Sequence, residues 1–497
     1  MPPLIFAYFA ILTGLAALGL HRLGLVVAAS RFRRAQPPAP AAWPRVLVQL
    51  PLYNERFVAE RLLRAVARLE YPRDRLRIQV LDDSTDETRW IVDRVVGSLV
   101  GQGIPVAVVR RRDRTGFKAG ALNYGLQADD AAELVAIFDA DFVPRPDFLR
   151  RAVPHLTADP QIGLVQARWS HLNRDASWLT RAQAVFLDGH FGVEHPGRAQ
   201  RGHFFNFNGT AGVWRRRAIE RAGGWSGDTI TEDLDLSYRA QLAGWRFAFA
   251  ADLEVPAELP ATPSAFRSQQ ARWVRGSVET ARKHLPAILS TPGLGWGRRL
   301  AAVVHLSTNF AYVAMAGLAL LLPAAVVVRD RAGWRVFGGQ ALLSQLDLLT
   351  LSLGTAAMVL FYGFGVARVG GGSMRRAADV LFALCLGAGM CLSNAREALR
   401  GLRSGGSEFV RTPKAGEDAQ GALKVYGRIP AVRRIGWEMA FAGYHGAALA
   451  YAGYHRLWGA VPFLALYFVG FGFLVVGAGR EAFARRSVAP LGKKAAA

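Results

Sequence analysis

Residues 134–142 read LVAIFDADF. Four apolar residues lead to a phenylalanine, and two aspartates follow with one residue between them. A short apolar run that stops in polar residues marks a buried strand with its carboxyl end at a surface. Three more runs have this build: VLVQLPLYNE (46–55), IQVLDDSTDE (78–87) and VAVVRRRDRTG (106–116). Between them, RFVAERLLRAVARLE (56–70) and TRWIVDRVVGSLV (88–100) have helical period. Strands alternating with helices predict an α/β unit with a mostly parallel sheet. Such sheets bind ligands beyond the carboxyl ends of their strands. Asn54, Asp82, Asp83, Asp139 and Asp141 fall there.

Outside this unit the composition changes. Residues 31–297 carry charge throughout, whereas 4–29 and roughly 299–479 contain long apolar runs. That partition predicts an integral membrane protein with one large soluble domain. The expected division is an N-terminal transmembrane helix (1–30), a proline-rich linker (31–45), a cytosolic catalytic domain (46–297), a transmembrane and interfacial region (298–480) and a basic tail (481–497). Apolar runs near 301–327, 346–367, 377–395, 435–454 and 459–479 approach the roughly 20 residues a spanning helix needs. A polar, basic loop (396–434) separates the third from the fourth. If this loop and the catalytic domain share the cytosol, an even number of spans lies between them. Three candidates lie there, so one of them is interfacial or re-entrant.

The formal charge is +23. Basic clusters sit beside apolar runs: RFRR (31–34), MRRAAD (374–379), AVRRIG (431–436) and ARRS (484–487). That placement follows membrane topology rather than a nucleic-acid face. The expected anions are lipid headgroups and nucleotide phosphates, with the bilayer as a partner and no nucleic acid. The first apolar run has no positive charge before it and RFRR after it, which places the N-terminus outside and RFRR inside. Cys385 and Cys391 lie in one apolar run and read as packing residues. The alanine- and arginine-rich composition suggests a bacterial inner membrane.

Six motifs carry chemistry. In DDSTD (82–86), paired aspartates at a strand end accept hydrogen bonds from a base or ribose edge, although such pairs also form turns. In an extended FDADF segment, Asp139 and Asp141 face one side. Two carboxylates plus substrate phosphate oxygens suit a hard divalent cation, Mg²⁺ or Mn²⁺. TEDLD (231–235) supplies Asp233 as a general base and Glu232 beside it; Thr231 also reads as a helix N-cap. Lys118, in GFKAGALNYGL (116–126), suits a phosphate at a helix start. FNFNGTAGVW (205–214), with Asn208 and Gly209, has the character of a sugar-contacting loop. QARW occurs twice, at 166–169 and 270–273. The second copy, preceded by Gln269, offers Arg272 to a diphosphate and Trp273 to a sugar face. The first reads as a strand, with Gln166 and Arg168 on one face and Trp169 on the other, in a structural or acceptor-lining role.

The order DDSTD, FDADF, TED, QxxRW resembles the signature of processive family 2 glycosyltransferases, among them cellulose, hyaluronan and chitin synthases. VLVQLPLYNE, RTGFKAGALNYGL, GLVQARWSHLN, FFNFNGTAGVWRR and TEDLDLSYRAQLAGW most resemble cellulose synthase-like mannan and glucomannan synthases and their bacterial relatives. The resemblance covers about 46–280. It implies a nucleotide-sugar transferase domain of GT-A type, inserted between transmembrane helices. Asp82 and Asp83 would hold the nucleotide; Lys118, Asp139, Gln269 and Arg272 would bind the donor. Asp139 and Asp141 would hold the metal, and Asp233 would be the base. Trp273, Asn208, Gly209 and Glu232 would face the acceptor. EFVRTPKAG (408–416) resembles a gating loop but has Arg411 where valine is usual.

These readings imply an inverting, processive transferase that extends a β-1,4 mannan, glucomannan or glucan and moves it through the membrane. The donor stays open between GDP-mannose and UDP-glucose. The alternative is a non-processive transferase that glycosylates a lipid.

Overall fold

The computed structural model describes residues 3–332, 340–370, 374–403, 416 and 435–488. The first helix is α1 (Pro3–Ser30). Then strands and helices alternate as the sequence pattern predicts: β1 (Val46–Leu52), α2 (Ala59–Val66), β2 (Leu76–Asp82), α3 (Thr88–Gly101), β3 (Val106–Val109), α4 (Phe117–Gln127), β4 (Leu134–Ile137) and α5 (Phe148–Ala158). The second half holds β5 (Ile162–His171), α6 (Trp178–Gly189), a π-helical segment (His190–Glu194) and α7 (His195–Gln200). It continues with β6 (Gly212–Arg215), α8 (Arg216–Arg221), α9 (Glu232–Leu242), β7 (Arg246–Ala257) and α10 (Pro263–Ser290).

The strands form one sheet in the order β3-β2-β1-β4-β6-β5-β7. β1 pairs parallel with β2 and β4, and β5 parallel with β7; β6 runs antiparallel between β4 and β5. Alternation along each strand builds two cores. Val46, Val48, Leu50, Leu134, Ala136 and Phe138 pack on the side of α2, α3 and α5. Val135, Ile137 and Leu164 pack on the other, with residues of α4, α8 and α9. Each fully buried Val, Leu, Ile or Phe side chain contributes about 1.5–3 kcal/mol. Because β2 and β4 flank β1 from opposite sides, the crossovers diverge there. The carboxyl ends of β1 and β4 therefore border a crevice.

Three details differ from the sequence expectation. β4 ends at Ile137, and the chain turns through the DxD motif, with the Phe142 amide donating to the Asp139 carbonyl at 3.1 Å. The two aspartates reach one site by a turn rather than by strand alternation. Residues 212–215, read as part of a loop, are the antiparallel strand β6. Residues 246–257, RFAFAADLEVPA, form β7; their small and charged members hide the period of two.

After α10 the chain is helical: α11 (Trp296–Ser307), α12 (Ala311–Ala332), α13 (Gln340–Gly370), α14 (Met374–Gly389), α15 (Cys391–Gly401), α16 (Gly436–Tyr454) and α17 (Val461–Val488). Four segments among the described residues are long and apolar enough to cross a membrane: Pro3–Ser30, Trp296–Arg331, Gln345–Val369 and Val461–Phe483. The run at 377–395 is divided between α14 and α15, which meet at 53°. The run at 435–454 forms α16 but is not among the four, since Glu438 and His445 dilute it. The gating-like motif at 408–415 and most of the basic tail lie outside the described residues.

Candidate active site

A cavity of about 220 Å³ opens at the carboxyl ends of β1 and β4. It is lined by Asp83, Lys118, Asp139, Asp141, Asn208, Gly209, Glu232, Asp233, Gln269, Arg272 and Trp273. Residues up to 190 positions apart in the chain thus meet at one site. Asp82 does not line it. Its carboxylate is fully buried, 2.8 Å from Arg110 Nη2, and accepts from the Ser84 amide at 3.0 Å. The physical reason is strand alternation: Asp82 ends β2 pointing opposite to Asp83. Arg111 grips Asp83 at both oxygens, Nε to Oδ1 at 2.9 Å and Nη2 to Oδ2 at 2.6 Å.

Lys118 stands at the start of α4, after a left-handed turn at Gly116 (φ 71°). Its ammonium donates to Asp139 Oδ1 at 2.6 Å and to the Gly209 carbonyl at 2.8 Å, and lies 3.7 Å from Glu232. Burial works against its charge, but Asp139 and Glu232 outweigh burial and raise its pKa. Gly209 adopts φ 80°, and a Cβ there would lie 3.1 Å from Asp233 Oδ2 and 3.4 Å from the ammonium. Glycine suits both the backbone angle and the close approach. The Thr210 hydroxyl accepts from the Asp139 amide at 2.9 Å, tying this loop to the end of β4.

Asp233 lies in the first turn of α9. Burial, and then the charge of Glu232, push its carboxyl up to about 7, against the pull of Lys118. Burial raises Glu232 as well. Thr231 does not cap the helix through its side chain; its hydroxyl lies 3.2 Å from that of Thr280 on α10. α10 packs so close, at Gly276, that the threonine is turned toward it.

Gln269, Arg272 and Trp273 stand at i, i+3 and i+4 on α10, so one helix face presents all three to the cavity. The first QARW copy plays a different part. Gln166 is fully buried and accepts from the Asn208 amide at 3.0 Å. Arg168 pairs with Glu254 and donates to the Ala251 carbonyl. Trp169 does line the cavity and packs edge-on against Phe142, with ring centroids 5.0 Å apart. Sequence reasoning missed Tyr53, Arg114, His171 and Glu258, which also line it. Arg114 lies over the Tyr53 ring, 3.2 Å from its centroid. Their signal was present for Tyr53, at the end of the β1 run, and absent for Glu258, which follows the unrecognised β7.

A divalent cation fits the chemistry here. Asp139 and Asp141 are hard oxygen donors on one wall, and Asp139 is a third exposed. Among the described residues, no cluster of three or more His, Cys, Asp or Glu side chains could hold a metal alone. A two-carboxylate site leaves coordination positions for phosphate oxygens and water.

A doubly wound sheet with acidic residues and a lysine at its switch point suits a nucleotide-sugar transferase of GT-A type. Residues 44–276 match the family model described as "Glycosyltransferase like family 2". Glucomannan 4-beta-mannosyltransferase 2 of Arabidopsis thaliana is 37% identical over 412 residues, covering 79% of this chain and 72% of that protein. Probable glucomannan 4-beta-mannosyltransferase 3 of Oryza sativa is 48% identical over 253 residues, half of this chain; the match spans only 46% of the rice protein's length. Among solved structures, a mannosyltransferase from Pyrobaculum calidifontis, in complex with GDP-Man and Mn²⁺, superposes with a TM-score of 0.54 at 24% identity. That match covers 73% of this chain and 97% of that one, and shows the shared fold. The chain belongs to glycosyltransferase family 2, alongside the cellulose synthase-like glucomannan mannosyltransferases. It is an integral membrane member of that family. The relatives named are plant proteins, and they give no support to the bacterial inner membrane suggested by composition.

Proposed function

We propose that this chain transfers a hexose, with inversion, from a nucleotide sugar to the end of a growing β-1,4-glycan at the cytosolic face of a membrane. One observation carries the reading: Asp233, with its raised pKa, shares a single cavity with Asp139, Asp141, Lys118 and Arg272. A buried carboxylate of pKa near neutrality suits a general base, because it is ionised at working pH yet still basic. Asp233 takes the proton of the acceptor hydroxyl as that oxygen attacks the anomeric carbon. Lys118 and Arg272 face the charge that develops on the departing diphosphate. Asp139 and Asp141 would hold a divalent cation, which supplies Lewis-acid screening of that diphosphate. Asp83, gripped by Arg111, would bind the nucleotide. Trp273 would stack on the acceptor sugar, and Gln269, Asn208, Gly209 and Glu232 would complete the donor and acceptor walls.

The names of the relatives favour a mannosyl donor, for which GDP-mannose is our candidate, and a mannan or glucomannan as product. The helices beside the domain would give the polymer its way across the bilayer. The test supplies membranes carrying the protein with labelled GDP-mannose and UDP-glucose, separately and together, with Mg²⁺ or Mn²⁺. Polymer that survives lipid extraction and yields to a β-1,4-mannanase is the expected result. Polymer from UDP-glucose alone would make the protein a glucan synthase. Label confined to the lipid extract would overturn processive synthesis in favour of lipid glycosylation.

A further inference from the structure

Behind the acceptor wall lies a buried polar network that this mechanism touches only at Asn208. α6, the π-helical segment and α7 form one unbroken helical run, 178–200. π-turns are rare and often mark functional sites. Here the extra residue per turn brings His190 and His195 side by side, with ring centroids 4.2 Å apart and planes tilted by 57°. His195 Nε2 lies 2.7 Å from Asn208 Oδ1, and Asn208 Nδ2 lies 2.9 Å from His190 Nε2. His190 Nδ1 lies 3.2 Å from Glu194 Oε2.

These contacts have one self-consistent polarity. An amide nitrogen only donates, so His190 Nε2 accepts and its Nδ1–H donates to Glu194. The Asn208 oxygen then accepts from His195 Nε2–H. The relay ends on a carboxylate that is itself clamped. Arg22 Nη1 of α1 lies 2.9 Å from Glu194 Oε2, and Arg198 Nη2 lies 3.2 Å from Oε1. His305 of α11 approaches Oε1 at 4.0 Å. Burial opposes ionisation of Glu194, but Arg22, His190 and Arg198 hold its carboxyl well below the usual range. The membrane helices are pressed close. A Cβ at Gly197 would lie 2.7 Å from the Leu25 carbonyl of α1, and one at Gly192 would lie 2.9 Å from the Gly365 carbonyl of α13.

We propose that Glu194 is a positioning residue for the transfer reaction: through His190 it fixes the Asn208 amide at the acceptor wall, and Arg22 of the N-terminal membrane helix holds Glu194 in place. This rests on the reading of the cavity as the transfer site. The first membrane helix then shapes the acceptor site as well as anchoring the chain. Asn208 retains one amide N–H for an acceptor hydroxyl, and its direction is set by the two histidines.

The experiment compares the full-length protein in membranes as wild type, Asn208→Ala, His190→Ala, Glu194→Gln and the double variants with Asn208→Ala. Initial rates are measured against donor concentration. Each single change is expected to lower kcat by roughly 10- to 100-fold, as misplacement of a contact group does, while the donor KM stays within about twofold. The double variants should be no slower than Asn208→Ala alone. Arg22→Lys should retain most of the rate that Arg22→Met loses. Multiplying effects in the double variants, or a donor KM that rises as kcat falls, would overturn the relay. Should Glu194→Gln not accumulate, the His190–Asn208 pair carries the same test. Wild-type membranes that make no polymer from either donor would instead sink the reading of the cavity.

Discussion

Asp233 and Asp235 stand two positions apart on α9 and carry opposite perturbations. Asp233 faces the cavity beside Glu232, and its carboxyl is pushed up to about 7. Asp235 is fully buried among His284 (2.8 Å), Lys283 (2.6 Å) and Arg239 (2.6 Å), which hold it well below the ordinary range despite its burial. One is placed to exchange a proton and the other to keep its charge. A base works only when ionised, so kcat/KM should climb as pH rises to about 7 and then level off. Rates measured between roughly pH 5.5 and 8 would show that acid limb; a flat profile would remove Asp233 from the role. Asp233→Asn should cost about 10²- to 10⁴-fold in kcat with the fold intact. The paired aspartates of DDSTD should separate in the same manner. Asp82→Asn, which loosens the buried contact with Arg110, should lower stability by roughly 1–3 kcal/mol. Asp83→Asn should chiefly raise the donor KM. Sequence alone made Asp82 and Asp83 equivalent, because two adjacent carboxylates at a strand end look alike until alternation turns one inward.

At the scale of elements, the site depends on α9 being held against α10. A Cβ at Gly276 would fall 2.5 Å from Thr231 Cγ2 and 3.0 Å from its backbone nitrogen. Across the same contact, the Ile230 amide donates to Glu279 at 3.1 Å. Gly276→Ala should therefore push α10 from the TED turn. It is expected to destabilise the protein by roughly 1–3 kcal/mol, as overpacking does, and to lower kcat because Gln269, Arg272 and Trp273 ride on α10. Thermal unfolding and rate assays on one preparation check both parts; a variant with unchanged rate would uncouple the helix from the chemistry. The parallel half of the sheet was legible because β1, β2 and β4 are apolar runs bounded by polar turns. β6 and β7 were not. β6 has four residues, and β7 mixes Arg246, Asp252 and Glu254 with small residues. The glycines that set interhelical distances have no local pattern; their meaning lies in what stands opposite.

At the scale of the whole molecule, contacts between the domain and the membrane helices decide the topology that hydropathy leaves open. Glu481, at the end of α17, accepts from the Ser264 amide at the start of α10, at 3.0 Å. That end of α17 is therefore on the catalytic side. The Gly416 amide lies 3.1 Å from Glu258 Oε2, beside the cavity, so residue 416 is on the catalytic side too. α17 is one of the four apolar spans, which puts its beginning, near Val461, on the far side. Among the described residues between 416 and 461, α16 is the helix available to cross, although its hydropathy falls short. Its far end agrees: Tyr451 donates to Asp330 of α12 at 2.6 Å, and His455 lies 3.0 Å from the same carboxylate. The bent pair α14–α15 bears on the parity that three apolar runs created. Asp379, near its start, pairs with Arg181 of α6 at 3.3 Å. At its end, a Cβ on Gly401 would lie 2.8 Å from the Arg275 carbonyl of α10. Both ends thus rest against catalytic-domain helices, which is the arrangement expected of a pair that enters the membrane without crossing it. Single cysteines on a background with Cys385 and Cys391 replaced can test this with an impermeant maleimide on sealed vesicles. Positions 40, 403 and 416 should label together from the catalytic side, and position 459 from the opposite side. Labelling of 403 from the far side, with 459 now labelling alongside position 40, would make the bent pair a true span and reverse α16 and α17, breaking the tie between Glu481 and Ser264.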